Sequence, residues 1–131
     1  SVDFSHPDML DMGWSFAKNF PNATGDTLYD KKYAHEIYQI SDEKVSTKAT
    51  VPILWDKKTR SIVNNESSEI IRILNSAFNN ITKNYVDYYP HNLRNEIDDI
   101  NKIIFENVNN GVYKSGFSTT QASYEDAVNK L

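Results

Sequence analysis

Val51-Pro52 and Asn65-Glu66-Ser67-Ser68 are the two places in this chain where residue type and spacing point to ligand chemistry. Proline cannot donate to a sheet ladder, so it belongs at a sheet edge or a strand start. If the bond before Pro52 is cis, the N–H and C=O of Val51 face outward, free to pair with an extended peptide in antiparallel fashion. A trans edge proline is the other reading. At Asn65–Ser68 a helix start presents unpaired N–H groups and the positive end of the macrodipole, which suits a carboxylate. Ser67 adds a hydroxyl there and Glu66 can hold an ammonium, so both charged groups of an amino acid would be satisfied. Plain helix capping accounts for the same residues. Trp14, beside Gly13, reads either as a core or lid aromatic or as a ligand contact. Tyr113 offers a phenol to a substrate or packs between helices. His6 and His35 have no partner pattern for a metal or a triad, and HExxH, P-loop and GxGxxG motifs are absent. No metal site is expected.

The elements that must position these residues follow from periodicity. Ser1 to Phe4 reads as the end of a strand, broken by His6-Pro7. Met9 to Gly25 is turn-rich and reads as an ordered loop, because Trp14, Phe16 and Phe20 are costly to leave in water. Tyr33, Ile37 and Ile40 are spaced as one face of a short helix. Thr50–Asp56 and Ser61–Val63 read as a β-hairpin around the polar turn Lys57–Arg60. A helix over 66–77 follows, with Ile70, Ile71, Leu74 and Phe78 as its stripe. Residues 78–90 read as a linker. Leu93, Ile97, Ile100, Ile104 and Val108 then mark a second helix, which Asn109-Asn110-Gly111 is expected to stop. Ser118 and Gln121 form a capping-box pattern opening a third, with Tyr124, Val128 and Leu131 as its apolar side.

Composition narrows the function. Apolar residues make up 39% and charged residues 24% of the 131 positions, as in a folded globular chain. The net charge of −4 and the lack of a Lys/Arg cluster argue against a nucleic-acid partner. No apolar run approaches the ~18 residues of a membrane span, and no leader pattern is visible, so a cytoplasmic protein without membrane contact is expected. There is no cysteine, which excludes disulfides, thiolate metal sites and a cysteine nucleophile within these residues.

Taken in order, the segments TVPILWDKKT, IVNNESSEIIRILN and NNGVYKSGF, with Gly13-Trp14 near the start, resemble the glutathionyl-hydroquinone reductases, the Xi-class, omega-like glutathione transferases. The resemblance runs along essentially the whole chain. It implies an α/β thioredoxin-like domain, incomplete because the first β-α unit is lacking, followed by the start of an all-α glutathione-transferase C-terminal domain. The implied boundaries are 1–77, a linker at 78–90, and the first helices of the second domain at 91–131. Ser1–Phe4 would be the second strand of the thioredoxin-like sheet, and the hairpin its last two. Glutathione, as co-substrate, would contact Trp14, the Val51 backbone beside a cis Pro52, Glu66 and Ser67. Lys48 stands where the family has arginine, keeping the charge without the bidentate fork. Tyr113 would help to shape a quinone site. The family's cysteine nucleophile has no counterpart, so no catalytic residue is expected in this chain. The implied activity is that of a fragment of a glutathione-dependent oxidoreductase or transferase. The alternative is a non-catalytic glutathione-binding or protein-interaction module. Implied partners are glutathione, a quinone-type small molecule, and a second copy or a complementary chain, as in the family's dimers.

Overall fold

Short local signals and a small buried core organise the chain into two units, Ser1–Leu74 and Asn75–Leu131. The computed structural model describes residues 1–131, apart from the side chain of Leu10.

In the first unit a two-residue hairpin, β1 (Met9–Leu10) and β2 (Gly13–Trp14), lies inside the stretch expected to be loop. Gly13 closes its turn at φ +80, a conformation that suits a residue without Cβ. Helix α1 spans Ala34–Ser41, where the Tyr33–Ile37–Ile40 spacing pointed. Its buried residues are Ala34, Ile37 and Tyr38, which with Ile70 are the buried hydrophobics of this unit among the described residues. The Glu36 carboxylate accepts the N–H groups of Lys32 and Tyr33 at 2.8 and 2.9 Å, satisfying donors that a helix start leaves open.

Strands β3 (Leu54–Asp56) and β4 (Ser61–Asn64) pair antiparallel, with Trp55 opposite Ile62 and Asp56 opposite Ser61. Strand β3 starts four residues later than expected. Pro52 has no N–H to give a ladder, and the N–H and C=O of Thr50 are both bonded to the Tyr38 hydroxyl. Asp56 closes the turn by accepting the Lys58 N–H at 2.7 Å. Helix α2 runs over Ser67–Ser76, close to the expected span. Asn64 accepts the Glu66 N–H at 2.7 Å, while the Asn65 side chain turns away from the helix.

Ser1–Phe4 is not a strand. Phe4 exchanges bonds only with Thr24, donating its N–H to Thr24 Oγ1 and accepting the Thr24 N–H. A ladder needs a partner strand, and a single residue does not supply one.

The second unit departs further from the periodic reading. A one-turn helix, α3 (Asn79–Thr82), interrupts the expected linker and ends at Lys83, φ +58. After a 3-10 turn at His91–Leu93, helix α4 (Arg94–Ile104) leads through a π-type turn at Phe105–Asn109 into α5 (Asn110–Gly116). Asn109-Asn110-Gly111 therefore does not stop the helix. Gly111 is buried in helical conformation against Leu131, and the chain turns only beyond Gly116. Helix α6 spans Gln121–Val128. Its cap is Thr120, whose Oγ1 accepts the Ser123 N–H at 3.2 Å, not Ser118. The buried residue of α6 is Ala127, whereas Tyr124 and Val128 of the expected stripe are exposed. Among the described residues no helix is long and apolar enough to cross a membrane.

Candidate functional site

The two segments singled out by their chemistry are held side by side, and the device that holds them is a buried phenol. Tyr38, in the last turn of α1, donates its O–H to the Thr50 C=O at 2.9 Å. It accepts the Thr50 N–H at 3.2 Å and an Asn65 Nδ2–H at 2.9 Å. The other Asn65 amide hydrogen faces Thr50 Oγ1 at 3.1 Å. Thr50 precedes Val51-Pro52, and Asn65 precedes Glu66-Ser67. Residues 12 and 27 positions along the chain from Tyr38 thus meet at one oxygen.

The Val51–Pro52 bond is cis. Val51 is half-buried and Pro52 exposed at the end of a groove of about 700 Å³. Phe4, Phe16, Tyr29, Ile37 and Trp55 are among its walls. The indole Nε1 of Trp55 is buried there without a hydrogen-bond partner, and its ring meets Tyr29 edge-on at 5.7 Å. Asp26, buried beside the groove, accepts the N–H groups of Leu28, Tyr29 and Lys31 and so shapes the loop before α1.

Glu66 and Ser67 are exposed at the start of α2. Glu69 and Ile70 donate back to the Glu66 C=O, and among the described residues no protein group accepts the N–H of Ser67 or Ser68. Two free donors, a carboxylate at Glu66 and the dipole of a ten-residue helix are thus presented together. Lys48 is exposed two residues before Thr50. Trp14 is half-buried on β2. Neither of these two, nor Glu66 or Ser67, lines the groove at Val51. Tyr113 belongs to the second unit, inside α5 rather than past a helix, and stacks on Phe117 at 6.3 Å.

Outside this region His6 and His35 are occupied by local contacts. His6 Nδ1 accepts the Asp8 N–H and its ring meets Phe20, while His35 stacks on Tyr33. Among the described residues no group of three His, Asp or Glu side chains is placed to hold a metal. Periodicity singled out Tyr33, Ile37 and Ile40 on α1 and not Tyr38, and Asn65 read as part of a helix start. The available signal was the hydroxyl itself, since a buried tyrosine O–H needs a partner.

Comparison with known proteins adds to this geometry. No protein-family model matches the chain. It is 49% identical over 131 residues to glutathionyl-hydroquinone reductase YqjG of Escherichia coli, which covers all of this chain and 40% of that protein. It is 46% identical over 127 residues to glutathionyl-hydroquinone reductase PcpF of Sphingobium chlorophenolicum, 97% of this chain and 40% of that one. The glutathione-bound structure of YqjG superposes with a TM-score of 0.91 over 98% of this chain and 42% of that one, at 49% identity. Glutathione transferase Xi 1 from Trametes versicolor gives 0.88 over 99% and 46%, also at 49% identity. The chain spans about two fifths of the length of the curated relatives it matches.

Proposed function

Because the chain is a relative of the Xi-class glutathione transferases, the glutathionyl-hydroquinone reductases, we propose that it forms the glutathione-holding part of a glutathione-dependent oxidoreductase. The observation that carries this reading is the 49% identity along all 131 residues to a glutathionyl-hydroquinone reductase. The thioredoxin-like layer then corresponds to the first unit, with a glutathione-transferase helical domain beginning in the second, and the first strand–helix unit of that layer lies outside these residues.

The donor set fits a tripeptide. The free Ser67 and Ser68 N–H groups suit the α-carboxylate of glutathione, with the Ser67 hydroxyl beside them. Glu66 suits its α-ammonium. The Val51 backbone suits the peptide groups of the central residue. Lys48 supplies a positive charge for the remaining carboxylate, and Trp14 a flat apolar wall. Tyr113 would serve the quinone side of the site.

The chemistry itself needs a thiolate, and these 131 residues contain no cysteine. In the proposed reaction a cysteine elsewhere in the protein attacks the sulfur of a glutathionyl-hydroquinone. The carbon–sulfur bond breaks, the hydroquinone leaves with a proton, and a protein–glutathione disulfide forms. A second glutathione, as thiolate, attacks that disulfide, releasing oxidised glutathione and regenerating the cysteine. The residues of this chain bind and orient glutathione for both steps, which the attack geometry requires.

Glutathione titration followed by Trp14 and Trp55 fluorescence tests the binding role. Saturable binding is expected, and Glu66→Ala is expected to weaken it about tenfold or more, the scale of a lost charged hydrogen bond. No saturation at millimolar glutathione would overturn the reading.

A further inference from the structure

We propose that Tyr38 is a positioning residue for the glutathione site, setting the spacing between its two walls without touching the ligand. This rests on the glutathione reading above.

The Tyr38 oxygen uses its complete hydrogen-bonding capacity, one donated and two accepted bonds, on Thr50 and Asn65. Tyr38 is 6% exposed and lies with Ala34 and Ile37 on the core face of α1, so its oxygen is a fixed point. Thr50 is covalently next to Val51, whose backbone forms one wall. Asn65 is covalently next to Glu66, and one residue from Ser67, which form the other. Neither neighbour is held by regular structure. Thr50 lies before β3 begins, and Asn65 lies between β4 and α2. The Asn65 side chain bonds Tyr38 and Thr50 rather than the helix start, while Asn64 accepts the N–H of Glu66 just before α2. A ligand that must reach the Val51 backbone and the α2 start together is therefore measured against a distance that one phenol oxygen maintains.

Without the hydroxyl, the Thr50 N–H and C=O and the Asn65 amide lose a shared partner, and the two walls drift independently. Fixing them again when glutathione binds then costs affinity. A second hydrogen bond from the same helix serves as the control. Ser41 Oγ accepts the Ile62 N–H at 2.9 Å, pinning α1 to β4 through residues that belong to neither wall.

The test is glutathione titration of wild type, Tyr38→Phe, Asn65→Ala and Ser41→Ala, well below the melting temperature of each, with melts recorded in parallel. Tyr38→Phe and Asn65→Ala are expected to weaken glutathione binding about tenfold. Combined, they are expected to weaken it little more than either alone, because they break one network. Ser41→Ala is expected to lower the melting temperature and leave affinity unchanged. Asn65 is exposed, so its variant keeps the test open if Tyr38→Phe folds poorly. Binding by wild type with unchanged affinity in both Tyr38→Phe and Asn65→Ala would overturn this inference alone. Equal weakening by Ser41→Ala would overturn it in favour of general loosening. Failure of wild type to bind would overturn the glutathione reading itself, and this inference with it.

Discussion

Gly111 lies so close to Leu131 that a Cβ on Gly111 would stand 3.2 Å from the leucine Cδ1. That approach runs from α5 to the residue at the end of the chain just after α6, and the glycine lies inside a helix that it was expected to end. Glycine in a helix interior costs about 1 kcal/mol relative to alanine. Leu131 is 51% exposed, and the contacting atom is the far end of a flexible side chain, so it can turn aside. Gly111→Ala is therefore expected to raise stability by up to about 1 kcal/mol. Gly111→Leu should lower it by roughly 1–3 kcal/mol through overpacking. Thermal melts of the two variants beside wild type decide the sign. A lowered melt for Gly111→Ala would mean that the 3.2 Å contact cannot relax.

Acid should destabilise the protein through a small set of carboxylates. Burial raises the Glu36 carboxyl, but the Tyr33 and Lys32 N–H groups, with Lys31 and His35, outweigh it and hold it below the ordinary 4.5. Asp56 is held below 3.8 mainly by the Lys58 N–H and by Thr59. Asp87 is lowered in the same way by the Asn75 amide and the Tyr89 N–H. A pKa depressed on folding means that the ionised form stabilises the folded state. That contribution is complete above the unfolded value and is lost as pH falls through the folded one. Melting temperature should thus hold steady down to about pH 5 and fall below it. Glu36→Gln should fall less steeply over the same range, and an equal slope in the two proteins would remove Glu36 from the explanation.

Self-association is the third expectation. Large apolar side chains stand open in each unit considered by itself: Phe4 at 56% and Ile71 at 54% in the first, Ile81 at 79% and Phe117 at 74% in the second. Among the described residues β3 pairs on one side only, with β4, which leaves its other edge unpaired. Sedimentation of this 15.1 kDa chain should show mass rising with concentration, unless a complementary chain is present. A monodisperse monomer with a cooperative melt would contradict this.

Where local signals were strong, the fold was legible. The spacing of Tyr33, Ile37 and Ile40 marked α1, the polar turn at 57–60 marked the hairpin, and Ile70 with its neighbours marked α2. Reading failed where a local signal was overruled from a distance. Asn-Gly at 110–111 is a stop signal by itself, yet the helical path runs on through it and Gly111 is buried against Leu131. Ser1–Phe4 has strand-like residues, but among the described residues its backbone pairs only through Phe4 with Thr24. The apolar face of α4 was read correctly as a pattern, while Ile100 and Ile104 remain 56% and 40% exposed.

By itself the sequence determined the chemical inventory and the kinship. It holds no cysteine, one Val-Pro at a strand entrance and one Glu-Ser at a helix start, and it is 49% identical over 131 residues to a glutathionyl-hydroquinone reductase. Each of those motifs had a structural explanation as good as its ligand-binding one, because a dipeptide carries no information about what lies beside it. Only the tertiary structure decided that the two are neighbours. Residues 12 and 27 positions after Tyr38 meet at its oxygen, because a buried phenol must satisfy that oxygen, and Thr50 and Asn65 are the groups within reach.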